Sequence, residues 1–517
     1  MTNLVLNRRS LVLGGLATFA VPARAAGDGP FTQGVASGDP SRQGFVLWTR
    51  LAPDPLAADG LGGMPAPATV TWTVYDDEAL EKPVATGQVT THPDSAHTVH
   101  AEVMGLKPDR FYWYRFEALG AQSRPGRART LPLPGARPSQ LRLCFASCSN
   151  YEQGYFSAYR HIADEAPDFV MFLGDYIYEG SNKDPKKATV RRHDRVADVR
   201  DLPAYRNRYA LYHTDPDLQR LRAAATALIT WDDHEVQNDY GAYLSQYMRD
   251  DVNMPALRQA AYQAFYEAMP LGRRALPHGP HMKLYTGYRF GSLAAIDMLD
   301  GRQYRSAAAC PNGDARKGHV VTDACTDRVD PHRSMLGFEQ EKWLCDRFAK
   351  SDATWNLMGQ DLLVAAFVQK GKDRDKNPII GHYTDGWDGY PATRERLLWA
   401  MQASRLRNPV MLGGDIHSFW ATELRPSPDA PVVATEFVGT SVTSDNPSHQ
   451  DFADMLPENP HVKYFNARSH GYVSVTVRPD HLETRFQAIS DRADPNATVS
   501  TEKRFVVENG RPGVVEG

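Results

Sequence analysis

The stretch Phe169-Val170-Met171-Phe172-Leu173-Gly174-Asp175-Tyr176-Ile177-Tyr178-Glu179 is an unbroken apolar run that stops at a Gly-Asp pair. An apolar run without alternation marks a strand covered on both faces, and Gly-Asp is a turn that delivers a carboxylate at the strand's carboxyl end. Comparable runs lie around it: Leu141-Arg142-Leu143-Cys144-Phe145-Ala146-Ser147 before it, then Ala227-Leu228-Ile229-Thr230-Trp231, Leu293-Ala294-Ala295-Ile296, Trp355-Asn356-Leu357-Met358 and Pro409-Val410-Met411-Leu412 after it. Phe156, Tyr159, Ile162, Ala163 and Ala166 recur at helical spacing between the first two runs. Strands alternating with helices predict a layered α/β catalytic domain over residues 139–510, its sheet covered on both faces.

Four of these strands are followed by side chains that ligate metals. The first ends in Ser147-Cys148-Ser149-Asn150, the second in Gly174-Asp175-Tyr176-Ile177-Tyr178-Glu179. The Ala227 run ends in Asp232-Asp233-His234-Glu235-Val236-Gln237-Asn238, and the Pro409 run in Gly413-Gly414-Asp415-Ile416-His417. Carboxyl ends of strands are where open α/β sheets gather ligands, so four such ends predict one site. Each residue also has a structural reading: Cys148 as a packed thiol, Tyr178 as a core aromatic, Asn238 as a cap, His234 as a packed histidine.

From Phe31 to Thr130 the texture differs. Short runs at period two, among them Phe45-Val46-Leu47-Trp48-Thr49-Arg50 and Phe111-Tyr112-Trp113-Tyr114-Arg115-Phe116, are separated by Gly, Pro and Asp. They predict an all-β immunoglobulin- or fibronectin-like sandwich over residues 31–132. The proline-rich stretch 133–138 reads as a stiff linker. At the start of the chain, Asn7-Arg8-Arg9-Ser10-Leu11 precedes an apolar run to Val21 and an Ala23-Arg24-Ala25 cleavage pattern. Residues 1–25 therefore read as a signal peptide of the twin-arginine type, with an apolar run too short for the roughly 20 residues of a membrane span. The expected destination is the periplasm or the extracellular space, reached through the twin-arginine export machinery.

Composition excludes some classes. The 517 residues carry 58 Lys+Arg against 62 Asp+Glu, a net charge of −4, which provides no overall basic field for a nucleic-acid scaffold. No stretch after the signal is long and apolar enough for a permanent membrane span. Five cysteines leave at least one without an intramolecular partner. Cys310 and Cys325 flank a Gly- and Asp-rich stretch and are expected to pair in an oxidising compartment, while Cys144 and Cys345 read as core residues.

The runs Phe145-Ala146-Ser147-Cys148, Leu173 to Glu179, Thr230-Trp231-Asp232-Asp233-His234-Glu235 with Asn238, and Gly413-Gly414-Asp415-Ile416-His417-Ser418 resemble the alkaline phosphatase D (PhoD-like) family of metallophosphoesterases. Gly34-Val35-Ala36-Ser37-Gly38-Asp39-Pro40 with Val46-Leu47-Trp48-Thr49-Arg50 resembles its N-terminal domain. The resemblance implies a mixed-metal site with Fe³⁺ held by Cys148, Asp175, Tyr178, Asp415 and His417, and Ca²⁺ on the side of Asp175 and Asn238. The donor types agree, because thiolate and phenolate suit a trivalent transition metal and carboxylate or amide oxygens suit Ca²⁺. It further implies small-molecule phosphate esters, both monoesters and diesters, hydrolysed by metal-activated water, with His234 as a donor to the phosphate or the leaving oxygen and Asp233 either orienting it or standing behind the metal ligands.

Asp300-Gly301-Arg302-Gln303-Tyr304-Arg305 also resembles a family stretch, yet reads equally as an Asp-Gly turn feeding solvated arginines. The best-studied members close the site with a C-terminal helix, whereas Leu482 to Ile489 and Lys503 to Val507 read as strands here. The alternative functions are a phospholipase-type phosphodiesterase and a noncatalytic envelope binding protein with a structural metal.

Overall fold

The computed structural model describes residues 29–182, 189–193, 199–248, 252–313 and 315–517. The signal expected at 1–25 lies outside the described residues.

Two stacked sheets form the centre. Leu141–Ala146, Phe169–Leu173 and Thr226–Thr230 run parallel in a ten-stranded sheet, and Ala294–Met298, Trp355–Gly359, Pro409–Gly413 and Ala434–Val438 run parallel in a seven-stranded one. Successive side chains of a strand point to opposite faces. Phe169, Met171 and Leu173 therefore enter the core between the sheets, together with Ile296, Leu357 and Leu412 of the facing sheet. Val170 and Phe172 enter a second core with Tyr159 and Ile162 of the helix Ser157–Glu165. On the far side Met358 and Met411 pack against Leu344 of Phe338–Lys350 and Leu398 of Pro391–Ala403. The layers run helix, sheet, sheet, helix. Both faces are covered as the apolar runs predict, but one cover of each sheet is the other sheet. A run of apolar residues records burial on two sides and carries no information about what does the burying.

The N-terminal residues form two opposed sheets. Val35–Gly38, Phe45–Arg50 and Thr98–Val103 make one; Pro83–Thr90, Thr69–Tyr75, Phe111–Ala118 and Ala121–Gln122, with Gly126–Arg129 beside Phe111–Ala118, make the other. Leu47, Val99, Val74 and Phe116 meet between them. Val35–Gly38 also pairs in parallel with Thr226–Thr230, so the first N-terminal sheet continues the ten-stranded sheet. Backbone pairing thus crosses the boundary expected at 133–138, a segment that carries neither helix nor strand.

The tail is stranded. His470–Val477 pairs with Leu141–Ala146, and His481–Ile489, Val499–Glu508 and Arg511–Glu516 complete that edge. Cys310 and Cys325 are disulfide-bonded, and Cys144, Cys148 and Cys345 are free. Among the described residues no helix is long and apolar enough to cross a membrane.

Candidate metal centre

Strand ends from both sheets meet at one place. Cys148 follows Leu141–Ala146 and Asp175 follows Phe169–Leu173 in the ten-stranded sheet, while Asp415 and His417 follow Pro409–Gly413 in the other. All four have a left-handed backbone, with φ of 60°, 50°, 63° and 50°. That conformation costs an L-residue roughly 1–2 kcal/mol and collects at functional sites, where it turns side chains inward from strand ends. Two glycines make the turns fit. Gly174 has φ +89° and a Cβ there would lie 2.4 Å from the Asp232 Cβ; a Cβ on Gly414 would lie 2.4 Å from the Ser147 Oγ.

The Cys148 Sγ, an Asp175 oxygen and a His417 ring nitrogen all lie within 4.8 Å of one another. The Tyr178 hydroxyl donates to Asp175 Oδ2 at 2.7 Å, sits 3.4 Å from His417 Nε2 and accepts from the Ser444 hydroxyl at 2.7 Å. His417 Nδ1 donates to the Asp445 carbonyl at 2.8 Å, which leaves Nε2 turned toward the cluster. Asp175 Oδ1 is buried without a hydrogen-bond partner. Asp415 does not join the three-residue group, but it is close enough to act on the Cys148 thiol.

The electrostatics fit a cation. Burial, with help from Asp175 and Asp415, raises the Cys148 thiol well above its ordinary range. Burial first, then Asp175 and Cys148, does the same to the Tyr178 hydroxyl. The Asp175 carboxyl is pushed up by burial and by Asp233, Asp232 and Glu235, against the pull of His234. Burial and Asp232 raise Asp415 as well. His417 is held down to about 4, chiefly by burial, and so offers a neutral ring nitrogen. Four acidic donors, each disfavoured as an anion, an orphaned carboxylate oxygen and a neutral imidazole make a donor set that a metal ion satisfies.

Beside this cluster His234 Nδ1 lies 2.6 Å from Glu179 Oε2, and the His234 ring lies 4.1 Å from that of Tyr178. Burial opposes its charge, but Glu179, Asp175 and Asp233 outweigh it and raise His234 well above its ordinary range. Asp233, Asp175 and His234 form a second group within 4.8 Å. The Asp233 Oδ2 accepts from the Asp239 N–H at 2.6 Å, so the carboxylate bonded to His234 is that of Glu179. Asn238 donates its amide to Gln246 at 3.3 Å and its backbone N–H to Glu179 at 2.8 Å; it lines a cleft with Tyr178 and His234.

Arg302 is fully buried and pairs with Asp232 and, at 2.8 Å, with Asp385. Arg305 pairs with Asp385 at 2.9 Å. These are not the solvated arginines of an Asp-Gly turn. They hold a buried acidic floor beneath Asp233, which Arg302 and His234 keep below the ordinary carboxylate range even though burial works against its charge.

A family model described as the PhoD-like phosphatase matches residues 143–486, and one for the N-terminal domain of such phosphatases matches 17–132. The chain belongs to the PhoD-like phosphatase family. Alkaline phosphatase D of Bacillus subtilis (strain 168) is 41% identical over 494 residues, covering 94% of this chain and 82% of that protein. A solved structure titled "Structure of PhoD" matches with a TM-score of 0.86 at 40% identity, over 95% of this chain and 92% of that one. As a PhoD-like phosphatase the chain is a phosphoric ester hydrolase, and the noncatalytic reading falls.

Sequence reading of this PhoD-like chain missed several contributors. Glu179 sits in the quoted run but has no motif of its own that assigns it to His234. Ser444 and Asp445 lie far from every strand-end motif. Glu235 accepts the backbone N–H groups of Asp175, Tyr176 and Asp232 and so ties two strand ends together. The carboxylate in Asp-Asp-His-Glu was visible; its partners depend on the register between neighbouring strands.

Proposed function

We propose that this hydrolase is exported by the twin-arginine pathway to the periplasm or beyond, and there cleaves phosphomonoesters and phosphodiesters by direct attack of water. The observation that carries the hydrolytic reading is the meeting of Cys148, Asp175 and His417 within 4.8 Å, with the Tyr178 hydroxyl bonded to Asp175; the export reading rests on the residues of the N-terminal segment alone. Cys148, Asp175, Tyr178, Asp415 and His417 would hold Fe³⁺, and Asn238 with Asp175 would hold Ca²⁺. Bound there, the two cations supply Lewis acidity toward phosphoryl oxygens and a water acidified enough to attack. The chain's own residues do the rest. His417 is fixed in its tautomer by the Asp445 carbonyl. His234, held through Nδ1 by Glu179, keeps Nε2 for a proton donated to the leaving oxygen. Asp233, after Glu179 and Asp175, adds negative charge that favours the protonated form of His234.

Residues 1–25 are read as the signal, 31–132 as the fibronectin-like sandwich, 133–138 as its link and 139–510 as the catalytic domain. The opposed three- and five-stranded groupings of the N-terminal strands support the second of these readings.

Turnover of p-nitrophenyl phosphate and of bis(p-nitrophenyl) phosphate, with elemental analysis of the purified protein, tests the proposal. Iron, calcium and a visible charge-transfer band are expected. A colourless, iron-free and active enzyme would reject the ferric assignment, and full activity in a Cys148→Ala, Asp175→Asn double variant would end the metal mechanism. Retention of configuration at phosphorus would rule out direct attack by water.

A further inference from the structure

A cleft of about 310 Å³ opens on the flank of the metal centre that carries Asp415 and His417. One wall is apolar, formed by Leu363, Ala365, Phe367, Ile416 and Phe452, while Gln369, Tyr383, Asp388, Asp445 and Asn446 line the rest. The Phe367 and Phe452 rings stack at 5.5 Å and 11°, and Phe367 is braced edge-on by Trp420 at 4.9 Å. Phe367 is 2% exposed and Ala365 3%, so the back of this wall is fixed by packing, while the partly buried Leu363, Ile416 and Phe452 present its surface. The volume is at the small end for ligand pockets, enough for about one ring with its substituents.

His234 lines a different cleft, with Tyr178, Glu179 and Asn238. A phosphate seated at the donors between the two clefts would have one ester oxygen toward Nε2 of His234, whose Nδ1 is taken by Glu179, and another substituent toward the apolar wall. The substituent beside the proton donor is the one that departs; the one in the apolar cleft stays on phosphorus. Only a diester has both.

We propose that the Leu363/Phe367/Phe452 cleft is a subsite for the retained substituent of a phosphodiester, and that it selects a single aromatic ring over a small alkyl group. The inference rests on the proposed hydrolysis of diesters and adds a specificity to it. Burial of a ring against an apolar wall is worth one to two orders of magnitude in kcat/KM, the discrimination that apolar pockets achieve for groups of this size. The cleavage itself is the balanced hydrolysis of the P–O bond to the departing group. Water adds its oxygen to phosphorus and gives up a proton, the leaving oxygen takes a proton from His234, the proton from the water restores His234 by way of solvent, and the aryl monoester is released.

The test holds the leaving group constant. Hydrolysis of p-nitrophenyl phenyl phosphate and p-nitrophenyl methyl phosphate is followed by p-nitrophenolate release in wild type, Leu363→Trp, which fills the cleft, and Phe452→Ala, which removes part of its wall; thermal melting confirms that each variant is folded. Wild type should prefer the phenyl diester by about tenfold or more in kcat/KM. Both variants should bring that ratio to within about twofold of unity while p-nitrophenyl methyl phosphate is still cleaved. An equal rate for the two diesters in wild type, or an unchanged ratio in both folded variants, overturns the subsite. Cleavage of p-nitrophenyl phosphate with neither diester touched also overturns it and leaves monoester hydrolysis standing. Failure on all three esters overturns the proposed function instead.

Discussion

The Nδ1 of His234 and the Oε2 of Glu179 lie 2.6 Å apart, a charge-assisted pair at the edge of a cluster of acidic metal donors. The pair occupies Nδ1, leaves Nε2 for the proposed proton donation, and raises the ring's affinity for a proton. Glu179→Gln keeps the shape and removes the charge, so kcat should fall by about 10² to 10³, with His234→Asn falling as far and the double variant no further. Steady-state kinetics on p-nitrophenyl phosphate decides. A mild Glu179→Gln beside a severe Asp233→Asn would transfer the orienting role to Asp233.

Asp415 pairs a left-handed φ of 63° with a carboxyl whose charge is disfavoured by burial and by Asp232. Asp415→Gly relieves both, so in the presence of chelator the variant should unfold at higher denaturant, a gain of about 1 kcal/mol, while hydrolysis is lost. A less stable variant would show that the turn is not strained.

Arg302 is sealed among Asp232, Asp233, Asp361 and Asp385. Arg302→Met leaves buried carboxylates without their counter-charge and should cost about 3–5 kcal/mol in urea unfolding; Arg302→Lys keeps the charge without the fork and should fall between. A cost for Arg302→Met below about 1 kcal/mol would mean that those carboxylates are neutral in the folded chain.

Glu436 is fully buried, and burial pushes it from 4.5 up to about 7 against the hydrogen bonds from the Val364 and Ala365 N–H groups and the Thr422 hydroxyl. The folded chain therefore holds this proton more tightly than the unfolded chain. Its contribution to stability is complete below the unfolded value of 4.5 and is lost as pH rises through about 7. The loss is on the order of 3 kcal/mol, and Glu436→Gln, which stays neutral, should escape it. Unfolding free energies measured from pH 5 to pH 8 should show the variant gaining on wild type as pH rises, and parallel curves would overturn the assignment.

Much of this architecture was legible along the chain. Strands such as Phe169–Leu173 and Pro409–Gly413 fall almost on their apolar runs, because burial on both faces leaves no place for a polar side chain. Val35–Gly38 and Pro83–Thr90 escaped notice, the first for its four-residue length and the second because its alternating half-buried pattern is weak. The meeting of Cys148, Asp175, Tyr178 and His417 was also legible, since all of them lie in the turns that follow three apolar strands. Glu179's hold on His234 and the burial of Arg302 were not, because an ion pair between residues far apart in the chain leaves no periodic trace.

By itself the amino-acid sequence determined which strands are buried, that metal-ligating side chains end four of them, and that Cys310 and Cys325 are placed to pair. These follow from local chemistry: apolar runs, Gly-Asp turns and the spacing of two thiols. Only the tertiary structure decided that those strands belong to two stacked sheets, that the N-terminal strands extend one of them, and that a cleft with an apolar wall and a separate cleft holding His234 both border the donors. Such relations depend on how sheets stack and on where distant segments meet, and hydrophobic burial, being non-directional, specifies that surfaces must be covered without specifying by which partner.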